Sequence, residues 1–189
     1  MSQVEKRHGA KGSEEANLNT ILSAAKKRAE QLGIKSVVVA STSGDTGVKA
    51  VKMFTGYNVV VVTHSTGFSG QDVQELIPEN RERILKAGGK ILTTTHAFGG
   101  LGRAVRRKFN TYQTDEIVAN TLRVFGQGTK VAIEIAMMAA DSGLISTKED
   151  VISIGGSGSR ADTALVLQSA NVQDFFEVKV LEIICKPWL

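Results

Sequence analysis

The chain has 189 residues, 42% of them hydrophobic, which is enough for one buried core of ordinary domain size. Its formal charge is +4, but the one dense basic cluster, Arg103–Lys108, is not interleaved with aromatic residues as a nucleic-acid groove requires. No apolar run reaches the roughly 20 residues that cross a bilayer, and the first residues lack the apolar core of a signal peptide. We therefore expect a cytoplasmic protein with no membrane partner, for which a small anionic ligand is favoured over nucleic acid.

The first 13 residues are polar and lack a periodic apolar face, which predicts a flexible tail before a single ligand-binding domain over residues 14–189. From Glu14 the apolar residues recur at three- and four-residue spacing, as on one face of a helix. Short β-branched runs then alternate with helical patterns, and glycine marks many boundaries. The predicted elements are, in chain order, a helix over 14–32, a strand over 36–41, a helix over 47–55, a strand over 57–64, a helix over 77–87, a strand over 90–96, helices over 101–109, 115–124 and 130–142, and a strand from 150.

Strands that alternate with helices are typical of a parallel sheet covered on both faces. The last two runs, TALVLQSA and FFEVKVLEIICKP, are rich in β-forming residues and break that alternation, although a helix is an alternative for the first. The predicted fold class is therefore α/β: three α/β/α layers around a mostly parallel, mixed sheet of five or more strands, with an antiparallel strand near the C-terminus. Its apolar faces and exposed end strand are compatible with a homo-oligomer.

Small, hydroxyl-rich segments follow the predicted strands, and ligands of open α/β sheets bind beyond the carboxyl ends of the strands. Glycine lets the backbone approach an anion, successive amides converge on its oxygens, and a helix beginning there directs its positive dipole end at the same point. For any one segment alone, a turn that caps a helix is an equally good interpretation. The residues expected to contact a ligand are Ser41, Thr42, Ser43, Gly44, Asp45 and Thr46 after the first strand, Thr63 and His64 after the second, Thr95, His96, Phe98 and Gly99 after the third, and Gly155, Gly156, Ser157, Gly158, Ser159 and Arg160 after the fourth.

His64 and His96 both follow an apolar strand directly. Each is either hydrogen-bonded at the strand end or faces the ligand, as a contact or as a proton-transfer group, so these two are the candidate catalytic residues. Neither has a carboxylate or second histidine at helical spacing, and no metal site is predicted. Because the carboxylate of Asp45 would repel a phosphate, we expect the backbone amide of Asp45 to meet it.

Three aromatic residues, Tyr57, Phe68 and Phe98, are candidates for stacking on a ligand ring, with a place in the core as the alternative for each. Phe98, between His96 and a glycine, is the best placed of them. The basic helix that carries Arg103–Lys108 is expected to present a solvated face.

The stretch VVVASTSGDTGVKAVKMFTGYNVVVVTH resembles the part of the pyruvate kinase C-terminal domain in which a strand, a Ser/Thr-rich loop, a helix and a second strand form the effector-phosphate site. The stretch EDVISIGGSGSRADTALVL is similar to the last two strands of that domain, which a Gly-rich loop joins. The chain as a whole resembles a stand-alone archaeal family built on this domain. The resemblance implies that fold and a phosphate site, but no kinase activity, since nothing in the sequence resembles the catalytic barrel of pyruvate kinase.

The six residues STSGDT are also similar to the loop that holds the phosphate of flavin mononucleotide (FMN) in flavodoxins. This second resemblance implies FMN as the cofactor. The leading prediction is a non-catalytic or regulatory domain that binds a phosphorylated small molecule, with a mononucleotide such as FMN as the specific candidate. The alternatives are a flavin-dependent oxidoreductase or a sugar-phosphate-acting enzyme that uses His64 or His96, and a purely structural module.

Overall fold

The structure, a computed structural model, describes residues 11–158 and 160–188, with side chains from Leu18 onward. Within these residues the chain forms six helices and six strands, joined by short turns of 3-10 helix at Arg123–Phe125 and Val172–Glu177. The helices are α1 (Lys11–Leu32), α2 (Asp45–Met53), α3 (Pro78–Lys86), α4 (Leu101–Phe109), α5 (Thr114–Leu122) and α6 (Gln127–Asp141). The strands are β1 (Ser36–Ala40), β2 (Asn58–Thr63), β3 (Lys90–Thr93), β4 (Asp150–Ser157), β5 (Arg160–Gln168) and β6 (Lys179–Cys185).

All six strands form one sheet in the order β3-β2-β1-β4-β5-β6. The first four strands in this order are parallel to one another, and β5 runs antiparallel to both β4 and β6. The predicted α/β class, with a mixed sheet and an antiparallel strand near the C-terminus, is confirmed. The run TALVLQSA is part of a strand and not a helix, whereas Phe175 and Phe176 lie in a 3-10 turn ahead of the last strand.

Alternate residues of β1 enter different cores, as the two-residue repeat of a strand requires. Val37 and Val39 pack with α1 and α2 on one face, while Val38 packs with α6 on the other. All three are fully buried, and burying one such side chain contributes roughly 1.5–3 kcal/mol. Helices on both faces explain why the strand sequences are continuously apolar.

Two glycines bring the first turn of α6 unusually close to the sheet. A Cβ added to Gly155 would collide with the carbonyl oxygen of Gly128, and one added to Gly128 would collide with the side chain of Thr163. Further along the helix, Oγ of Ser153 donates a hydrogen bond to the carbonyl oxygen of Ala132 at 2.7 Å. The start of α6 is therefore fixed against β4 and β5.

The sheet order reverses at β1, because the connections through α2 and α3 place β2 and β3 on one side of it and the connection through α4 to α6 places β4 on the other. Such a reversal opens a crevice between the carboxyl ends of β1 and β4, where the loops diverge to opposite faces. The fold thus provides one predefined position for a ligand.

Both edge strands of the sheet are irregular or short. β3 has four residues, and the pairing of β6 with β5 shifts register twice, between Ala164 and Leu165 and between Val166 and Leu167. Cys185, at the end of β6, is half-buried, and burial raises the pKa of its thiol.

Helix α1 begins at Lys11, three residues before the predicted start, and residues 1–10 of the predicted tail lie outside the described residues. Among residues 11–158 and 160–188, none of the helices combines the length and apolar character that a bilayer crossing needs.

Candidate functional site

A cavity of about 610 Å³ lies at the reversal point of the sheet. Its walls come from the loop after β1, the ends of β2 and β4, the loops after β2 and β3, and the first turns of α4 and α6. The predicted ligand contacts that line it are Ser41, Thr42, Ser43, Asp45, Thr46, Thr63, His64, His96, Gly156, Gly158 and Arg160. Segments far apart in the sequence are thus brought to one cavity, as expected where the carboxyl ends of parallel strands meet at one edge of a sheet.

The loop between β1 and α2 is held in shape by its own groups. Oγ of Ser41 accepts a hydrogen bond from the backbone N–H of Gly47 at 3.0 Å. Gly44 precedes the helix with φ of 95°, a left-handed conformation that glycine adopts without steric cost. A Cβ at Gly44 would lie 2.7 Å from the side chains of both Asn80 and Leu76. The loop is therefore preformed, and α2 begins with Asp45 at the cavity wall.

The carboxylate of Asp45 has its hydrogen-bond partners within the protein. It accepts hydrogen bonds from Oγ of Ser43 and from Nδ2 of Asn80, each at 2.8 Å. The Ser43 bond, followed by the Asn80 bond, lowers the pKa of Asp45. Asn80 ties the side chain to α3, so the groups suited to an anion at the start of α2 are backbone amides. Two of these amides also have acceptors within the loop: that of Asp45 donates to Oγ of Ser43 at 3.4 Å, and that of Gly47 donates to Oγ of Ser41. That the amides meet an anion stays a prediction.

The two strand-end histidines lie side by side with the ring of Phe68. The ring centroids of His64 and His96 are 5.4 Å apart. The ring centroid of Phe68 lies 4.0 Å from that of His64 and 4.8 Å from that of His96. Nδ1 of His64 is 2.8 Å from Oε2 of Glu75, a residue of the following loop that the sequence did not single out. Burial lowers the pKa of His96, against an opposing effect of Glu134. His96 is therefore an uncharged imidazole at neutral pH.

Arginines from α4 and from the 3-10 turn add positive charge to the cavity. The guanidinium of Arg103 lies 4.9 Å from the ring centroid of Phe68. Arg123 donates hydrogen bonds to the side chains of Gln127 and Asn120, at 2.7 and 2.6 Å. Because these contacts are with uncharged groups, both charges are available to an anionic ligand. The basic helix was expected to be wholly solvated, and Arg103 departs from that expectation.

Lys130 and Glu134, on α6, form an ion pair in the cavity wall. Their side chains are only 8% and 6% exposed, and Nζ lies 2.5 Å from Oε2. The other carboxylate oxygen accepts a hydrogen bond from the backbone N–H of Phe98 at 2.9 Å. Burial lowers the pKa of Lys130, and Glu134 opposes the shift. This pair was not among the residues predicted from the sequence, in which the four-residue spacing of Lys130 and Glu134 was the one available signal of it.

Phe98 does not line the cavity, contrary to its predicted role in stacking. Its side chain is 7% exposed, lies 5.5 Å from Nζ of Lys130, and makes an edge contact with the ring of Phe175. Tyr57 is likewise a core residue, with an edge contact to Phe54 at 5.4 Å. Among the three aromatic candidates, Phe68 is the one in the cavity wall.

The predicted Gly-rich loop after the fourth strand is instead a hairpin. Gly155, Gly156 and Ser157 belong to β4 and pair with β5, and Gly158, with φ of 63°, begins the turn. Glycine is required at 156 because a Cβ there would collide with the carbonyl oxygen of Arg160. These glycines therefore serve close packing in the sheet, and Gly155 does not line the cavity.

The other predicted contacts lie beside the cavity or outside the described residues. Oγ of Ser157 donates to Asp162 at 2.8 Å. Thr95 is exposed in the loop after β3, and Gly99 leaves room for the guanidinium of Arg103. Ser159 is not described. Over residues 11–158 and 160–188, no group of three or more His, Cys, Asp or Glu side chains could hold a metal ion.

Comparison with known proteins identifies the domain family. Two solved structures similar to this chain are pyruvate kinases from Cryptosporidium parvum, with 13% and 14% sequence identity and TM-scores of 0.42 and 0.37. The matches cover 81% and 74% of this chain but only 23% and 21% of those proteins, so this chain spans less than a quarter of their length. The sequence model described as "Pyruvate kinase, alpha/beta domain" matches residues 19–167. The chain therefore belongs to the pyruvate kinase alpha/beta domain family.

Proposed function

We propose that this domain binds a phosphorylated small molecule in the cavity, with the phosphate at residues 41–46, in a non-catalytic or regulatory role. The observation that carries the proposal is the preformed loop between β1 and α2. Gly44 holds it in a left-handed turn, Ser41 fixes it to the first turn of the helix, and the carboxylate of Asp45 is tied to Ser43 and Asn80. An anion can be bound there with little reorganisation of the backbone.

The specific ligand that we propose is a mononucleotide such as FMN. The cavity volume of about 610 Å³ falls within the roughly 300–1,000 Å³ of small-molecule sites. The rings of His64, Phe68 and His96 form one wall, which suits a planar heterocycle, and the preformed loop at residues 41–46 suits the phosphate. The ligand's phosphate and its ring would thus meet different walls of one cavity.

Calorimetric titration with FMN and with inorganic phosphate tests the site. We expect the double variant Ser43→Ala with Thr46→Ala to bind FMN at least tenfold more weakly. Thr46→Ala removes a hydroxyl that could donate to the phosphate, and a hydrogen bond to a charged group contributes roughly 1.5–3 kcal/mol. Ser43→Ala releases the carboxylate of Asp45 from its bond to Oγ of Ser43. Thr46→Ala alone preserves the hydrogen bond from Ser43 to Asp45. It should therefore show only part of the loss of FMN affinity seen in the double variant.

The matched control is Ser146→Ala with Thr147→Ala, in the turn before β4, at the opposite end of the sheet. It should leave the affinity unchanged. Equal affinity in the wild-type protein and the Ser43/Thr46 double variant would show that the phosphate is bound elsewhere.

A second candidate function is catalysis by a flavin-dependent oxidoreductase or a sugar-phosphate-acting enzyme. The observation in its favour is the 2.8 Å contact between Nδ1 of His64 and Glu75, since a carboxylate that fixes one ring nitrogen orients the other for proton transfer. Bound FMN would supply the redox chemistry. Bleaching of a yellow protein by a substrate, slowed in Glu75→Gln, would support this function over simple binding.

Three wider expectations rest on the sequence alone and are part of the same proposal: a cytoplasmic location, assembly into a homo-oligomer, and kinship with the stand-alone archaeal proteins.

A further inference from the structure

A second, smaller cavity of about 220 Å³ adjoins the first, between α4, α5 and the start of α6. Four cationic side chains line it, together with one carboxylate, that of Glu116. The four are Arg103, Arg106, Arg123 and Lys130. Like charges this close together repel one another unless an anion neutralises them, and they do so across a cavity in which Lys130 is buried while Arg123 is exposed.

Carboxylates of the protein neutralise two of the four cations. Nε of Arg106 lies 2.5 Å from Oε1 of Glu116, and Nζ of Lys130 lies 2.5 Å from Oε2 of Glu134. Glu116 and Glu134 are both buried, and the Lys130–Glu134 pair is shielded from solvent, whereas the side chain of Arg106 is 40% exposed. Each carboxylate is thereby paired with one cation, although Oε2 of Glu116 has no hydrogen-bond partner among the described residues.

The remaining two cations have uncharged partners. Arg103 lies over the ring of Phe68, and Arg123 donates to the side-chain oxygens of Gln127 and Asn120. Both guanidinium groups also lower the pKa of Lys130, although burial is the larger cause, so their charge acts on the cavity. The second cavity therefore has an excess of about two positive charges over its carboxylates.

We propose that the second cavity is a binding site for a small oxyanion, a carboxylate or an inorganic phosphate or sulfate, held by Arg103 and Arg123. Guanidinium groups match the planar and tetrahedral oxygens of such anions through paired N–H donors. The side-chain amide of Asn120 supplies a further donor, Nδ2, at the rim. Arg103, Arg123 and Lys130 also line the larger cavity, so the two cavities share a wall, but the proposed site is separate from the phosphate loop at residues 41–46.

A charge change at Asn120 tests the proposal at a residue that does not itself line the larger cavity. Asn120 lines only the second cavity, is exposed, and accepts a hydrogen bond from Arg123 that an aspartate can also accept. Asn120→Asp should therefore fold normally while placing a negative charge where the anion would bind. The matched control is Asn19→Asp, on the exposed side of α1, which changes the net charge equally.

The measurement is a heteronuclear NMR titration with sodium sulfate, and separately with sodium acetate, against sodium chloride at equal ionic strength. We expect saturable amide shifts at Phe98, Asn120 and Arg123 with sulfate, acetate or both. The affinity for the anion should be at least tenfold weaker in Asn120→Asp and unchanged in Asn19→Asp. Saturation by sulfate alone would identify a tetrahedral anion as the ligand, and saturation by acetate alone would identify a carboxylate.

Two results would overturn the proposal: absence of saturable shifts at these amides with either anion, or equal weakening in both variants. Shifts confined to amides 42–47 would count against the second site while supporting the phosphate loop. The same titration on the Ser43/Thr46 double variant separates the two sites, since its second cavity is intact.

Discussion

Replacing Gly44 by alanine tests whether the left-handed backbone and close packing at this residue hold the loop before α2 in its shape. The quantity measured is the free energy of unfolding. An L-residue in the left-handed region costs roughly 1–2 kcal/mol, and Gly44 has φ of 95°. The new Cβ would also lie 2.7 Å from Cβ of Asn80, which α3 holds in place, and overpacking of this kind typically costs about 1–3 kcal/mol. Because alanine also restricts the unfolded chain, by about 0.4–1 kcal/mol, we expect a net loss of about 2–4 kcal/mol.

Gly33→Ala provides the matched control for this substitution. Gly33 also has a left-handed backbone, with φ of 69°, but no atom lies within 4 Å of its added Cβ. It should lose only about 0.5–1.5 kcal/mol, from the backbone alone. Urea unfolding followed by circular dichroism measures both values, and for a chain of this size the Gly44 variant should melt roughly 4–16 °C lower.

Equal losses of stability in Gly44→Ala and Gly33→Ala would contradict this prediction, because the contact with Asn80 would then have no energetic consequence. A displaced Asn80 would also release its hydrogen bonds to Asp45 and to the carbonyl oxygen of Ser43. For this reason we expect Gly44→Ala, but not Gly33→Ala, to bind FMN more weakly.

Two further predictions concern buried ionisable groups. Lys130→Met should destabilise the protein by about 3–5 kcal/mol, because Glu134 would stay buried without its partner. The double variant with Glu134→Gln keeps an acceptor for the backbone N–H of Phe98 and should recover about 1 kcal/mol or more of this stability. If urea unfolding shows no recovery, the buried charge of Glu134 is not the cause of the loss. Burial lowers the pKa of His96 below its value of about 6.5 in the unfolded chain. The contribution of His96 to stability should therefore be fully present above about pH 6.5 and should be lost as the pH falls through the folded pKa. An NMR titration that places the pKa of His96 at or above that of a free histidine would contradict this.

Strand runs and glycine boundaries were enough to predict the layers of the fold and the convergence of strand ends. The parallel order of β1 to β4 follows from alternation with helices, and it brings Ser41, His64 and His96 to one cavity. Gly155 and Gly156 were predicted to contact a ligand at the end of the fourth strand, although glycine weakens a strand interior and both pair within the sheet. The packing of α6 on β4 requires a residue without a side chain at position 155. Tertiary packing therefore overrode local preference.

The charged part of the site could not be derived from local sequence. Lys130 and Glu134 at four-residue spacing are typical of a solvated helix face, and only the position of α6 against the sheet buries them. Arg103 points toward Phe68 while its neighbour Arg107 is exposed, a distinction that depends on how α4 is anchored. Phe98 was predicted to face a ligand from its neighbours in the chain, although burial against Phe175 decides its direction.

The irregular pairing of β6 bears on how this protein behaves at high concentration. A second chain that tried to extend the sheet would find the amide and carbonyl groups of β6 out of step at two positions, and on the other side only the four residues of β3. Such interruptions oppose the strand-by-strand growth that leads to fibrils, although Val180, Leu181 and Ile183 leave apolar side chains exposed on β6. We therefore expect copies of this domain that associate to meet through side-chain surfaces, and not by extending the sheet.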